Sequence, residues 1–136
     1  MRDTELKRKK ARALYSVYKK GLEEGRFDSL LGAGRYCALQ PAPCFFISAK
    51  QASLMLGRIA AKVSLINLNS SQRRMIWQLW RNYQDYLQGH PDNTLSRERV
   101  LELLVDEPAP EFYISGEGAR KIIWQEIRKV RRAKGW

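Results

Sequence analysis

At 136 residues, 44% of them hydrophobic, the chain is one ordinary domain or two very small ones sharing a core. No apolar run approaches the roughly 18–20 residues that span a bilayer, and the charged start MRDTELKRKKAR holds no apolar stretch of the kind a secretory signal needs, so a cytoplasmic, bacterial protein away from membranes is expected. The formal charge of +11, from 25 Lys+Arg against 14 Asp+Glu, favours a polyanionic partner, DNA ahead of RNA, or serves solubility alone.

The first helix is expected from about Thr4 to Glu24, with Gly25 as its stop. Leu6, Ala13, Leu14, Val17 and Tyr18 recur at helical spacing and form its apolar face. Asp28 is read as the cap of a second helix, about Ser29 to Leu39, whose Gly32, Ala33 and Gly34 point to close helix packing. A third, about Ala49 to Val63, turns Ala52, Met55, Leu56 and Ile59 inward. Ser71 is expected to cap a fourth that reaches about Gln88, with Ile76, Leu79, Tyr83, Tyr86 and Leu87 inside. A short fifth spans Ser96 to Val105, and a sixth runs from Gly116 to about Lys134 over Ala119, Ile122, Ile123, Ile127 and Val130. Glu126 falls on that apolar side.

The chain repeats itself. Pro41-Ala42-Pro43-Cys44-Phe45-Phe46-Ile47-Ser48 returns 67 residues later as Pro108-Ala109-Pro110-Glu111-Phe112-Tyr113-Ile114-Ser115, and Ala52 then matches Ala119. Seven of twelve aligned positions are identical, far more than unrelated segments share. Two helical patterns precede each copy and one follows. The expected architecture is all-α: six helices as two pseudo-symmetric three-helix repeats, 1–67 and 68–136, in one compact domain about a pseudo-two-fold axis.

The motif has its own physics. Proline disfavours helix in the residue before it, so the preceding helix ends there. The aromatic-aromatic-Ile triplet reads as a short buried extended stretch that plugs the core with Phe45, Ile47, Phe112 and Ile114. Ser48 and Ser115 are placed to cap the next helix. The phrase PAPxF[FY]IS followed by a helix resembles small proteins carried by prophage-like and transposable elements of gut bacteria. That resemblance implies a mobile-element setting and a DNA-linked accessory role.

Catalysis has little to draw on. His90 is the one histidine, in the turn Gly89-His90-Pro91-Asp92-Asn93. No G-x-S-x-G, P-loop, dinucleotide fingerprint or His-Glu-x-x-His is present. The two cysteines make no disulfide framework and no zinc spacing; Cys37 reads as a small core residue. The protein is expected not to be an enzyme and to need no cofactor and no metal.

The basic faces carry more. Stepping 100° per residue gathers Arg8, Arg12, Tyr15 and Lys19 on the first helix, opposite Leu6, Ala13 and Val17. On the last helix Lys121, Trp124, Arg128 and Arg132 form a matching stripe, with Arg131 beside it. Lysine and arginine neutralise phosphates, and an aromatic face offers stacking to a base or sugar. The third helix begins Ser48-Ala49-Lys50-Gln51-Ala52, similar to many bacterial helix-turn-helix segments, which makes Lys50, Gln51 and Arg58 candidates for groove contact. The usual turn there has three or four residues, against about eight here. Nucleic-acid binding through phosphate contacts is therefore the leading expectation. The alternative is a protein-interaction or assembly module, or a homodimer, docking through Trp77, Trp80 and Trp136.

Overall fold

A computed structural model describes residues 3–135 and the side chains of 4–135. Among these residues the protein is all-helical, with six helices: α1 Asp3–Glu23, α2 Leu30–Ala38, α3 Ala49–Ala60, α4 Ser70–Gly89, α5 Arg97–Leu104 and α6 Gly116–Ala133. Most of the apolar residues expected to face inward do so, while Leu87 and Val130 are only half-buried and lie outside the core cluster. Leu14, Ala52, Leu56, Leu79, Ala119 and Ile123 are fully buried, and Tyr83, Tyr86 and Ile127 pack against them.

The helix starts are set by side-chain caps, two of them not at the expected residue. Ser29, rather than Asp28, caps α2, its Oγ accepting from the Gly32 N–H at 3.0 Å. Asn69, rather than Ser71, caps α4 and forms a reciprocal box with Gln72: the Gln72 N–H donates to Asn69 Oδ1 at 2.8 Å, and the Asn69 N–H donates to Gln72 Oε1 at 3.1 Å. Both satisfied donors would otherwise be orphaned at a helix start. Ser48, Ser96 and Ser115 cap α3, α5 and α6, and at the other end of α1 Gly25 takes the left-handed φ of 67° that ends the helix.

The helices pack as two trios, α1–α2–α6 and α3–α4–α5. The packing units are therefore not the two halves of the chain: α3, from the first half, packs with α4 and α5, and α6, from the second, packs with α1 and α2. Where α2 crosses α6 the backbones come very close. A Cβ on Gly34 would lie 2.3 Å from the Gly116 carbonyl oxygen and 2.8 Å from the Arg120 nitrogen. Small residues at this crossing are what the Gly32-Ala33-Gly34 run implied.

The two PAPxF[FY]IS segments join the trios. Ala42 and Ala109 pair as an antiparallel bridge, each N–H donating to the other's carbonyl at 2.9 Å. The Phe45 N–H donates to the Val105 carbonyl at 2.9 Å, and the Phe112 N–H to the Ala38 carbonyl at 3.1 Å. The rings of Phe45 and Tyr113 stack at 5.9 Å, those of Phe46 and Phe112 at 6.0 Å. Under the offset of 67 residues the Ala42–Ala109 bridge maps onto itself and the other pairs exchange in twos, and the cap serines correspond likewise, Ser29 with Ser96 and Ser48 with Ser115. The segments differ at their second aromatic: Tyr113 has a φ of 53°, whereas Phe46 has no positive φ, and the first segment alone turns back so that the Ile47 N–H donates to the Phe45 carbonyl.

Candidate nucleic-acid interface

Packing of α1 against α6 places two helices about a hundred residues apart in sequence side by side. Both carry a basic outer face. On α1, Arg8, Arg12 and Lys19 are exposed, and Tyr15 is half-buried with its ring on Tyr18 at 6.0 Å. The Lys19 ammonium lies 5.2 Å from the centre of the Tyr15 ring, so cation and aromatic form one unit. The Tyr15–Tyr18 stack continues through Phe27 to Tyr36, which anchors the C-terminal half of α1 on α2.

On α6, Lys121, Trp124, Arg128, Arg131 and Arg132 are all exposed. The Arg131 guanidinium sits 5.6 Å over the Trp124 indole. Glu126 is shielded beneath this face and meets Lys129 at 3.5 Å, which supplies the partner its position on the apolar side calls for. Glu117 pairs with Arg120 in the first turn. Among the described residues, none of Arg8, Arg12, Lys19, Lys121, Arg128, Arg131 and Arg132 is tied up by a carboxylate.

At its N-terminal end α1 reaches the first motif and α3. Leu6, Lys7 and Lys10 line a hollow with Phe46, Ile47 and Gln51. Lys10 also faces the starts of α4 and α6 at Ser70 and Ser115, and partial burial there lowers its pKa. Gln51 thus joins the basic region, while Lys50 and Arg58 are exposed on α3 itself. α2 and α3 do not pack against each other and the motif lies between them, so α3 is not the second helix of a packed α2–α3 pair.

The remaining chemistry-bearing groups sit quietly. His90 ends α4, its ring 4.0 Å from that of Tyr86 and its Nδ1 2.8 Å from the Tyr86 carbonyl. Cys37 is fully buried and burial pushes its thiol up to about 11. Cys44 is half-buried, with its thiol raised by the same cause against an opposing pull from Lys9. Among the described residues no His, Cys, Asp and Glu side chains gather in a group fit to hold a metal, and no helix is long and apolar enough to cross a membrane.

The structure separates the tryptophans that the sequence grouped. Trp80 packs on the core and against Tyr83, Trp77 is 45% exposed, and Trp136 lies outside the described residues. Compared with known proteins, the chain matches no family model, no curated protein and no solved structure.

Proposed function

We propose that this protein is a non-enzymatic nucleic-acid-binding accessory or regulatory protein that acts in the cytoplasm and grips DNA, ahead of RNA, mainly through its phosphates. The observation that carries the reading is the pairing of α1 with α6. It sets cations from both ends of the chain on adjacent helices, unneutralised by carboxylates and each set built around an aromatic ring. Such a surface supplies the sequence-independent part of affinity by releasing counterions from the polymer. The resemblance of the PAPxF[FY]IS phrase adds a mobile-element setting. A duplication of one helix-helix-motif-helix unit about a pseudo-two-fold axis is proposed as the origin of the fold.

A mobility-shift series over salt concentration with duplex DNA, single strands and structured RNA tests this. Binding is expected to weaken steeply with salt. Neutralising Arg128, Arg131 and Arg132 together is expected to weaken duplex binding alike for unrelated sequences and to flatten the log–log slope by about 0.9 per lost phosphate contact. Absence of binding to all three at about 50 mM salt, a condition generous to electrostatic contacts, refutes the reading.

A further inference from the structure

The other trio carries a second cationic face, on α4. Arg73, Trp77 and Arg81 follow at four-residue intervals, which aligns their side chains along one side of a helix. All three are exposed, and the Trp77 indole stands between two open hollows. One, of about 530 Å³, extends over Gln78, Arg81, Pro110 and Tyr113. The other, of about 540 Å³, extends over Lys62, Val63 and Ile66. Arg73 and Trp77 line both, so the hollows form one groove with the indole as its saddle.

The cations along this groove are available. Arg74 is committed to Glu111 at 2.8 Å, but Arg73, Arg81 and Lys62 make no ion pair among the described residues. Arg81 is steadied by its Nε, which donates to the Trp77 carbonyl at 3.5 Å. On the far side Val63 and Ile66 are 53% and 77% exposed, an apolar floor that the core leaves uncovered.

We propose that this groove binds single-stranded nucleic acid, with a base stacked on Trp77 and the flanking phosphates held by Arg73, Arg81 and Lys62. An exposed indole between cations is the arrangement a flexible strand needs: every base has a face to stack, and the backbone on either side carries charge. A duplex keeps its base faces stacked inside and gives the indole little to hold. A second copy of this chain would bring the same unpaired cations against each other. The proposal shares the ligand class of the reading above but none of its residues, so the two can fail separately.

The test compares binding of a fluorescent oligothymidylate and of a DNA hairpin duplex to wild-type protein, Trp77→Ala, Trp77→Phe and Arg73→Gln/Arg81→Gln. Trp77→Ala is expected to weaken strand binding about 5- to 140-fold, the loss of one stacked base at roughly tenfold per 1.4 kcal/mol, and to leave duplex binding within about twofold. Trp77→Phe is expected to restore most of the loss. The double arginine variant is expected to lower the single-strand salt slope by about 0.7 per lost contact. Since Trp77 is not part of the core, an unchanged circular dichroism spectrum should accompany its replacement. Equal strand affinity for wild type and Trp77→Ala overturns the proposal. So does a loss shared equally by strand and duplex, or a Trp77→Ala effect confined to self-association in sedimentation.

Discussion

The crossing of α2 and α6 allows a sharp test by a single methyl group. In Gly34→Ala the new Cβ would meet the Gly116 carbonyl oxygen at 2.3 Å and the Arg120 nitrogen at 2.8 Å. Comfortable separation for such atoms is about 3.5 Å, so the helices must part by about 1 Å. Neither obstacle is a side chain that can swing aside, and a packed interior resists compression. Overpacking of this kind costs about 1–3 kcal/mol, and the main-chain contacts place Gly34 toward the top of that range. Alanine's better helix propensity returns about 0.8–1 kcal/mol, which leaves a net destabilisation of about 2 kcal/mol. With a urea m-value of about 2 kcal/mol/M, the midpoint falls by about 1 M. Gly89→Ala is the control, since nothing lies within 4 Å of its Cβ position; there the loss of unfolded-state freedom is expected to stabilise by about 0.4–1 kcal/mol. Urea melts of the two variants should thus move in opposite directions. A Gly34→Ala midpoint at or above wild type would refute the close crossing, and with it the packing of α6 on α2.

Two further outcomes are expected. Ser48→Ala and Ser115→Ala should each destabilise by about 1 kcal/mol, because each hydroxyl accepts a main-chain N–H, at 3.1 Å from Gln51 and 3.0 Å from Gly118; unchanged melts at both sites would contradict this. The buried Cys37 thiol, raised from 9.0 to about 11, binds its proton more tightly folded than unfolded. Its contribution is therefore complete below pH 9 and is lost as pH rises toward 11, on the order of 2 kcal/mol. Stability measured across that window should fall less steeply in Cys37→Ala than in wild type.

Much of the fold is legible in the sequence because local rules and the core agree. Leu14, Leu56, Leu79 and Ile123 stand at helical spacing, and the core uses that spacing. Caps were harder to place, since Asp28-Ser29 and Asn69-Ser70-Ser71 each offer more than one side chain able to accept the first N–H groups. Geometry chose Ser29 and Asn69, the latter because only that register lets Gln72 reach back to the cap nitrogen. The trading of third helices was not legible. Nothing local tells α3 to pack on α4 and α5; that follows from the motif segments pairing at Ala42 and Ala109 and sending each following helix to the far side.

The same global arrangement explains why the α4 face escaped a reading by periodicity. Arg73, Trp77 and Arg81 are evenly spaced in the sequence, but Trp77 adjoins the inward Ile76, and a tryptophan beside a buried stripe is ordinarily core. What exposes it is tertiary: the segment after α3 carries Val63 and Ile66 past the outside of α4 without covering the indole. The α1 and α6 stripes, by contrast, were visible one helix at a time, and only their adjacency required the fold. Each trio contains a helix from the other half of the chain, and the two PAPxF[FY]IS segments join the trios that carry the two cationic faces. The Phe45–Tyr113 and Phe46–Phe112 stacks therefore support both surfaces at once. Removing the Phe45 or Phe112 ring from that junction is expected to be felt in binding at α6 and at Trp77 alike, since both are fully buried there and line neither surface.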